Sequence, residues 1–148
     1  MIIKLIIYIF IYTTLTGCDG NNPMSSVCES NCFLEMDAQN LVIDDNGYYN
    51  IEYNNGSNQT FSTLRARTGS NDVYQKLMWI SDTEVQVGGQ WINCVNQNSY
   101  TDGSGEAFTV LSVWDILIGD TLKVYSGYHD HCGTHFVDSI QVIVKDEF

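Results

Sequence analysis

All three histidines of the chain fall in one short stretch, Tyr128-His129-Asp130-His131-Cys132-Gly133-Thr134-His135. Side chains two positions apart on a strand share a face, so His129 and His131 would point the same way. A turn at Gly133 would bring His135 back toward them. Imidazoles with a nearby aspartate are donors for zinc or copper, and catalytic zinc uses three protein ligands with an open fourth position. No His-Glu-x-x-His pattern accompanies them, so the general base of that motif is missing. The competing reading is a solvated hairpin loop in which Cys132 is committed to a disulfide. Two acidic turns form a second donor set: Asp44, Asp45 and Asn46 before Gly47, and Asp102, Ser104 and Glu106 around Gly103 and Gly105. Calcium takes six to eight oxygens from such groups. Neither stretch follows the EF-hand pattern, and this composition is also what ordinary turns use.

Covalent catalysis has little to stand on. The chain has no Gly-x-Ser-x-Gly elbow. No phosphate-cradling glycine loop precedes a helical pattern. We therefore expect a non-enzymatic protein without a cofactor. Aromatic residues are the alternative currency, with three Trp and nine Tyr. An exposed Trp or Tyr surface is a common way to hold a protein or a sugar. Trp79 and Trp114 sit in apolar runs and read as core. Trp91 follows the Gly88-Gly89 pair by two residues and reads as exposed, with Tyr48, Tyr100 and Tyr128 as companions on a binding surface.

The elements that must position these groups are strands. Tyr49, Ile51 and Tyr53 alternate with polar neighbours after the turn Asp44-Asp45-Asn46-Gly47, where Asn-Gly suits positive φ at both central hairpin positions. Residues 59–67 and 74–81 are further strands. Glu84–Val87, Gly88-Gly89 and Gln90–Val95 read as a hairpin. Residues 100–105 read as a loop, and 107–113, 121–128 and 136–145 as strands. No segment holds a helical period. Many short strands with turns between them imply a sandwich or small barrel. The stretch Asp138-Ser139-Ile140-Gln141-Val142-Ile143-Val144, preceded by Gly119-Asp120-Thr121-Leu122-Lys123-Val124, resembles the end of immunoglobulin-like extracellular modules such as PKD domains. The expected fold is all-β, an immunoglobulin-like sandwich of two antiparallel sheets over residues 34–148.

The N-terminus speaks to location. Ile2 to Leu15 is apolar apart from Lys4 and a few hydroxyl residues, and is shorter than the roughly 20 residues a spanning helix needs. Leu15-Thr16-Gly17-Cys18 resembles a bacterial lipobox. The resemblance implies removal of a signal peptide, residues 1–17, and lipidation of Cys18. Two or more acyl chains would anchor it stably, which one chain does not. Residues 18–33, with Gly, Asn, Ser and Pro23, read as a tether. The expected place is the bacterial cell envelope, extracytoplasmic, with the leaflet undecided.

Five cysteines minus Cys18 leave Cys28, Cys32, Cys94 and Cys132. An even number outside the cytoplasm suggests disulfides. Three pairings are open, and we favour Cys28–Cys32 with Cys94–Cys132. Loop closure would give roughly 2 and roughly 4 kcal/mol respectively. The net charge is −12, and the signal segment removes one lysine and no acid. Such a charge repels phosphate backbones, so nucleic acid is not an expected partner. The expected function is a binding or structural module for a protein or glycan. The contrasting reading is a small inhibitor or immunity-type lipoprotein that meets a cationic lytic enzyme through charge steering. A metal-binding role for His129, His131 and His135 is the third. Intact mass of the mature protein from its own membranes is expected to show acyl groups on Cys18. An unacylated chain that retains residues 1–17 would remove the anchor.

Overall fold

The computed structural model describes residues 33–69, 74–130 and 133–147. Residues 1–32 lie outside them, and with them Cys18, Cys28, Cys32 and all but the last residue of the expected tether. His131 and Cys132 lie outside as well. Apart from a short 3₁₀ turn at Asp115–Leu117, every described element is a strand. No described helix is long and apolar enough to cross a membrane.

In chain order the strands are β1 (Leu34–Gln39), β2 (Val42–Ile43), β3 (Tyr49–Tyr53), β4 (Thr60–Thr68), β5 (Lys76–Ser81) and β6 (Glu84–Val87). They continue with β7 (Gln90–Asn93), β8 (Asn98–Tyr100), β9 (Glu106–Val113), β10 (Thr121–Asp130) and β11 (Gly133–Asp146). They form a three-stranded sheet, β1-β4-β9, a six-stranded sheet, β2-β3-β11-β10-β5-β8, and a separate β6-β7 hairpin. The expected all-β sandwich is what the chain forms. Two details differ from two purely antiparallel sheets. β3 runs parallel to β11, pairing Val142 with Tyr49 and Val144 with Ile51. The β6-β7 ribbon belongs to neither large sheet.

Alternation explains the layers. In β1, Leu34, Met36 and Ala38 are buried; in β4, Leu64 and Ala66; in β9, Ala107, Leu111 and Val113. The six-stranded sheet answers with Ile51, Tyr53, Leu77, Trp79, Leu122, Val124, Ile140, Val142 and Val144. Apolar side chains at every second position of each strand leave one face dry and one face wet. Trp79, 1 % exposed, sits within this core and donates its indole N–H to Ser99 Oγ at 2.7 Å. Burying an indole without a partner for that N–H would cost stability.

The turns obey local chemistry. Gly88 and Gly89 both have positive φ, 60° and 85°, the geometry of a two-residue hairpin loop between β6 and β7. The Asn46-Gly47 turn differs from expectation. Positive φ is found at Gly47 but not at Asn46, because the loop is longer than two residues. Asp44 Oδ1 closes it, accepting the N–H groups of Asn46 and Tyr48 at 2.9 and 3.0 Å.

β10 and β11 form the longest ladder, and its register slips between Ser126 and Gly127, leaving Val137 as the extra residue. At Gly127 the backbone of β11 leaves no room for a side chain. A Cβ there would run into the carbonyl of His135 and lie 2.6 Å from Phe136 Cα. Both are backbone atoms of the partner strand and have little room to move. Gly127→Ala is expected to cost about 2–3 kcal/mol in urea unfolding, as overpacking of a tight site does. An unchanged midpoint would show that the bulge yields freely.

Candidate functional site

The β6-β7 hairpin carries the most exposed tryptophan. Register places Gln86 opposite Trp91 and Glu84 opposite Asn93, so these four share a face. Val85 and Ile92 take the other face, where Val85 is buried. Trp91 is 66 % exposed, as its place after the glycine turn suggested, while Trp79 and Trp114 are core. Beside Trp91 lies an open groove of about 580 Å³ lined by Ile80, Ser81, Asp82, Glu84, Trp91 and Asn93.

The groove's polar groups are not equally available. Asn93 is spent on structure: its Oδ1 accepts the Ser81 and Val95 N–H groups at 2.9 and 3.3 Å, and its Nδ2 donates to Ser81 O. Asn93 thus fixes the hairpin to the end of β5. Asp82 Oδ1 accepts the Lys123 N–H at 2.9 Å, joining the groove wall to β10. Glu84 is exposed on the same face as Trp91. An aromatic face with carboxylates and amides around it can stack on a sugar ring and accept its hydroxyls, or receive a cation. The residues lining the groove include no nucleophile paired with a base.

The other aromatic candidates do not join Trp91 in one strip. Tyr100 is 58 % exposed but lies at the opposite end of β5, paired with Lys76. Tyr48 is half-buried in the β2–β3 turn. Tyr128 is buried, 5 % exposed, which removes it from any surface. Its hydroxyl donates to Phe33 O at 2.7 Å and pins the start of the domain. Burial pushes that phenol up to about 12.

The histidine stretch is divided by the same alternation. His129 pairs with Thr134, and its Nδ1 lies 2.9 Å from Thr134 Oγ1. His135 pairs with Tyr128, on the opposite face of the hairpin. Register therefore separates two of the three expected ligands; His131 lies outside the described residues. No group of three His, Cys, Asp or Glu capable of holding a metal occurs among the described residues. The acidic turns are turns: Asp102 Oδ1 accepts the Ser104 and Glu106 N–H groups, as Asp44 does in its loop. Glu106 Oε1 is taken by Arg65 and Arg67 at 3.2 and 3.1 Å.

Cys94 is a free, buried thiol, and no disulfide is found among the described residues. The expected bridge from Cys94 ends on Cys132, which lies outside the described residues.

Comparison with family models and with curated proteins finds no match.

Burial first, then the charges of Asp82 and Glu84, push the Cys94 thiol from 9.0 to about 11, against a hydrogen bond with Ser81. The folded state holds this proton to higher pH than the unfolded chain does. The thiol's contribution is whole below about pH 9 and is lost as pH rises through about 11. Unfolding midpoints are expected to fall across that interval, with Tyr128 adding to the fall above about pH 10. Cys94→Ala should flatten the part of the fall below about pH 10, where Tyr128 has yet to titrate. A wild-type midpoint level from pH 8 to 11 would contradict the buried thiol.

Proposed function

We propose that this protein is a membrane-anchored extracytoplasmic lipoprotein of the bacterial envelope, and that it acts as a non-enzymatic module that binds a glycan at Trp91. The observation that carries this reading is an indole 66 % exposed beside a shallow polar groove. A tryptophan face open to solvent, with polar side chains around it, is a stacking surface for a ligand. Its ring, with Gln86 and Glu84 on the same face, offers stacking plus hydrogen bonds, the mix that sugars need.

The placement of the groove agrees with presentation from a tether. The tether would join the domain at Phe33, beside Tyr128. Ser81, in the groove, pairs with Val124, four residues along β10 from Tyr128, or about 13 Å. The groove thus lies toward the end of the domain away from the tether.

One observation favours a second reading, the inhibitor of a cationic enzyme. Asp82 and Glu84 flank Trp91 in a chain of net charge −12, which would steer a basic surface toward the groove. The two readings separate in one titration. Trp91→Ala is expected to weaken glycan binding at least tenfold, about 1.4 kcal/mol, with stability changed by less than about 0.5 kcal/mol. Asp82→Asn with Glu84→Gln would instead abolish binding to a basic enzyme such as lysozyme. A glycan array with no signal, beside salt-sensitive lysozyme binding, would move the assignment to the inhibitor.

A further inference from the structure

The cations of this chain are few and are not spread evenly. The domain holds Arg65, Arg67, Lys76, Lys123 and Lys145, against eighteen acids in the whole sequence. Both arginines lie on the outer face of the three-stranded sheet, and carboxylates occupy them. Arg65 meets Asp37 at 2.5 Å and Glu106 at 3.2 Å; Arg67 meets Asp37 at 3.3 Å and Glu106 at 3.1 Å.

The lysines do the opposite. Lys76 pairs with Tyr100, Lys123 with Gln141 and Lys145 with Glu52. Their neighbours Leu77, Leu122 and Val144 point into the core, so all three lysines stand on the outer face of the six-stranded sheet. None makes an ion pair among the described residues, although carboxylates outnumber cations throughout the chain. Within the strands of this face the acid is Glu52. Asp82 stands at the rim with its Oδ1 engaged by the Lys123 N–H.

Rings lie between the lysines. Tyr100 is 58 % and Phe136 47 % exposed. Tyr125 stacks obliquely on Phe136 at 6.1 Å and carries Lys123 Nζ 5.1 Å above its ring. Strand spacing puts Lys76 about 20 Å from Lys123, and Lys123 about 15 Å from Lys145, along one diagonal of the sheet. The face is a long, shallow strip of ammonium groups and ring surfaces on an otherwise anionic molecule.

From this partition we infer that the outer face of the six-stranded sheet binds an anionic glycan, a carboxylate-bearing sugar chain lying along Lys76, Lys123 and Lys145. The inference rests on the glycan reading for its ligand class and adds the charge and a second contact surface. Charge complementarity selects an anion. The wide lysine spacing selects an extended polymer over a compact anion. Duplex nucleic acid, with one charge per about 1.7 Å, would be repelled by the rest of the domain more than three lysines attract it. The rings of Tyr100, Tyr125 and Phe136 suit sugar faces. Ile80, on this face beside Tyr125 and also in the Trp91 groove, makes the two surfaces continuous.

The test uses the full mature protein in detergent, with polygalacturonate as the anionic probe and dextran as the neutral one. Polygalacturonate is expected to bind, and to weaken roughly tenfold when salt is raised from about 0.05 to about 0.5 M, where screening shortens to a few ångströms. The triple variant Lys76→Gln, Lys123→Gln, Lys145→Gln should lose that binding at least tenfold with its unfolding midpoint unchanged. Single substitutions check the triple variant's fold, each weakening binding by a few-fold. Equal polygalacturonate binding by wild type and triple variant would overturn the lysine face. So would wild-type binding confined to neutral sugars, which leaves the Trp91 reading standing. Absence of binding to any glycan overturns both. Lysine-dependent binding to phosphatidylglycerol vesicles, with polygalacturonate inert, overturns the glycan in favour of a lipid surface.

Discussion

The ladder between β10 and β11 is the constraint on which the other elements depend. β11 has β10 on one side and β3 on the other, and β10 passes the sheet on to β5. Gly127 lets the two long strands close at their bulge, where no side chain fits against the His135 carbonyl. Extra twist at a bulge re-aims the side chains beyond it. Alternation along the unbulged β10 keeps Tyr128 inside with Leu122, Val124 and Ser126, and its hydroxyl ties down Phe33. Asp138, beside the bulge, accepts the Met36 N–H at 2.8 Å and so joins the six-stranded sheet to β1. The β10–β11 ladder thus carries the large sheet and, through Asp138 and Tyr128, its contacts to Met36 and Phe33 at β1.

The second organising feature is the sorting of charge. An acidic chain folding with few cations has the choice of pairing them or isolating them. Both arginines are paired, in a network that crosses β1, β4 and β9. Partly exposed pairs of this kind add modest stability, but the planar guanidinium fixes several strands at once. The lysines are kept apart on the other face. Two outer surfaces of one sandwich therefore differ in character, one self-neutralised and one carrying lysines that make no ion pair among the described residues. The Trp91 hairpin stands beside the lysine-bearing face, held there by the Asn93 amide.

Much of the fold was legible in residue order. β3 and β11 show alternation that can be read directly, β6 and β7 flank a glycine pair, and the segments of β4, β5, β9 and β10 are rich in β-branched and aromatic residues; the exposure of Trp91 follows from its neighbours. The short strands β2 and β8 were not legible, since two or three residues carry no period and exist through their neighbours. The candidate site was half legible. Trp91 came from its distance to a glycine pair, but Ile80, Asp82 and Glu84 join it by folding. Tyr128 was misread because its polar neighbours His129 and Asp130 suggest a loop, while the β10 register turns it inward.

Sequence by itself determined the strand class, the aromatic supply and the net charge, because these depend on composition and near-neighbour spacing. It also supplied the resemblance to a lipobox on which the proposed anchor rests. Tertiary structure decided which residues meet. Strand register placed His129 and His135 on opposite faces and gathered three lysines from separate strands onto one surface. Each outcome depends on pairing between segments distant in sequence. A one-residue change of register reverses every side chain on a strand, and that choice is made by the packing of the whole core.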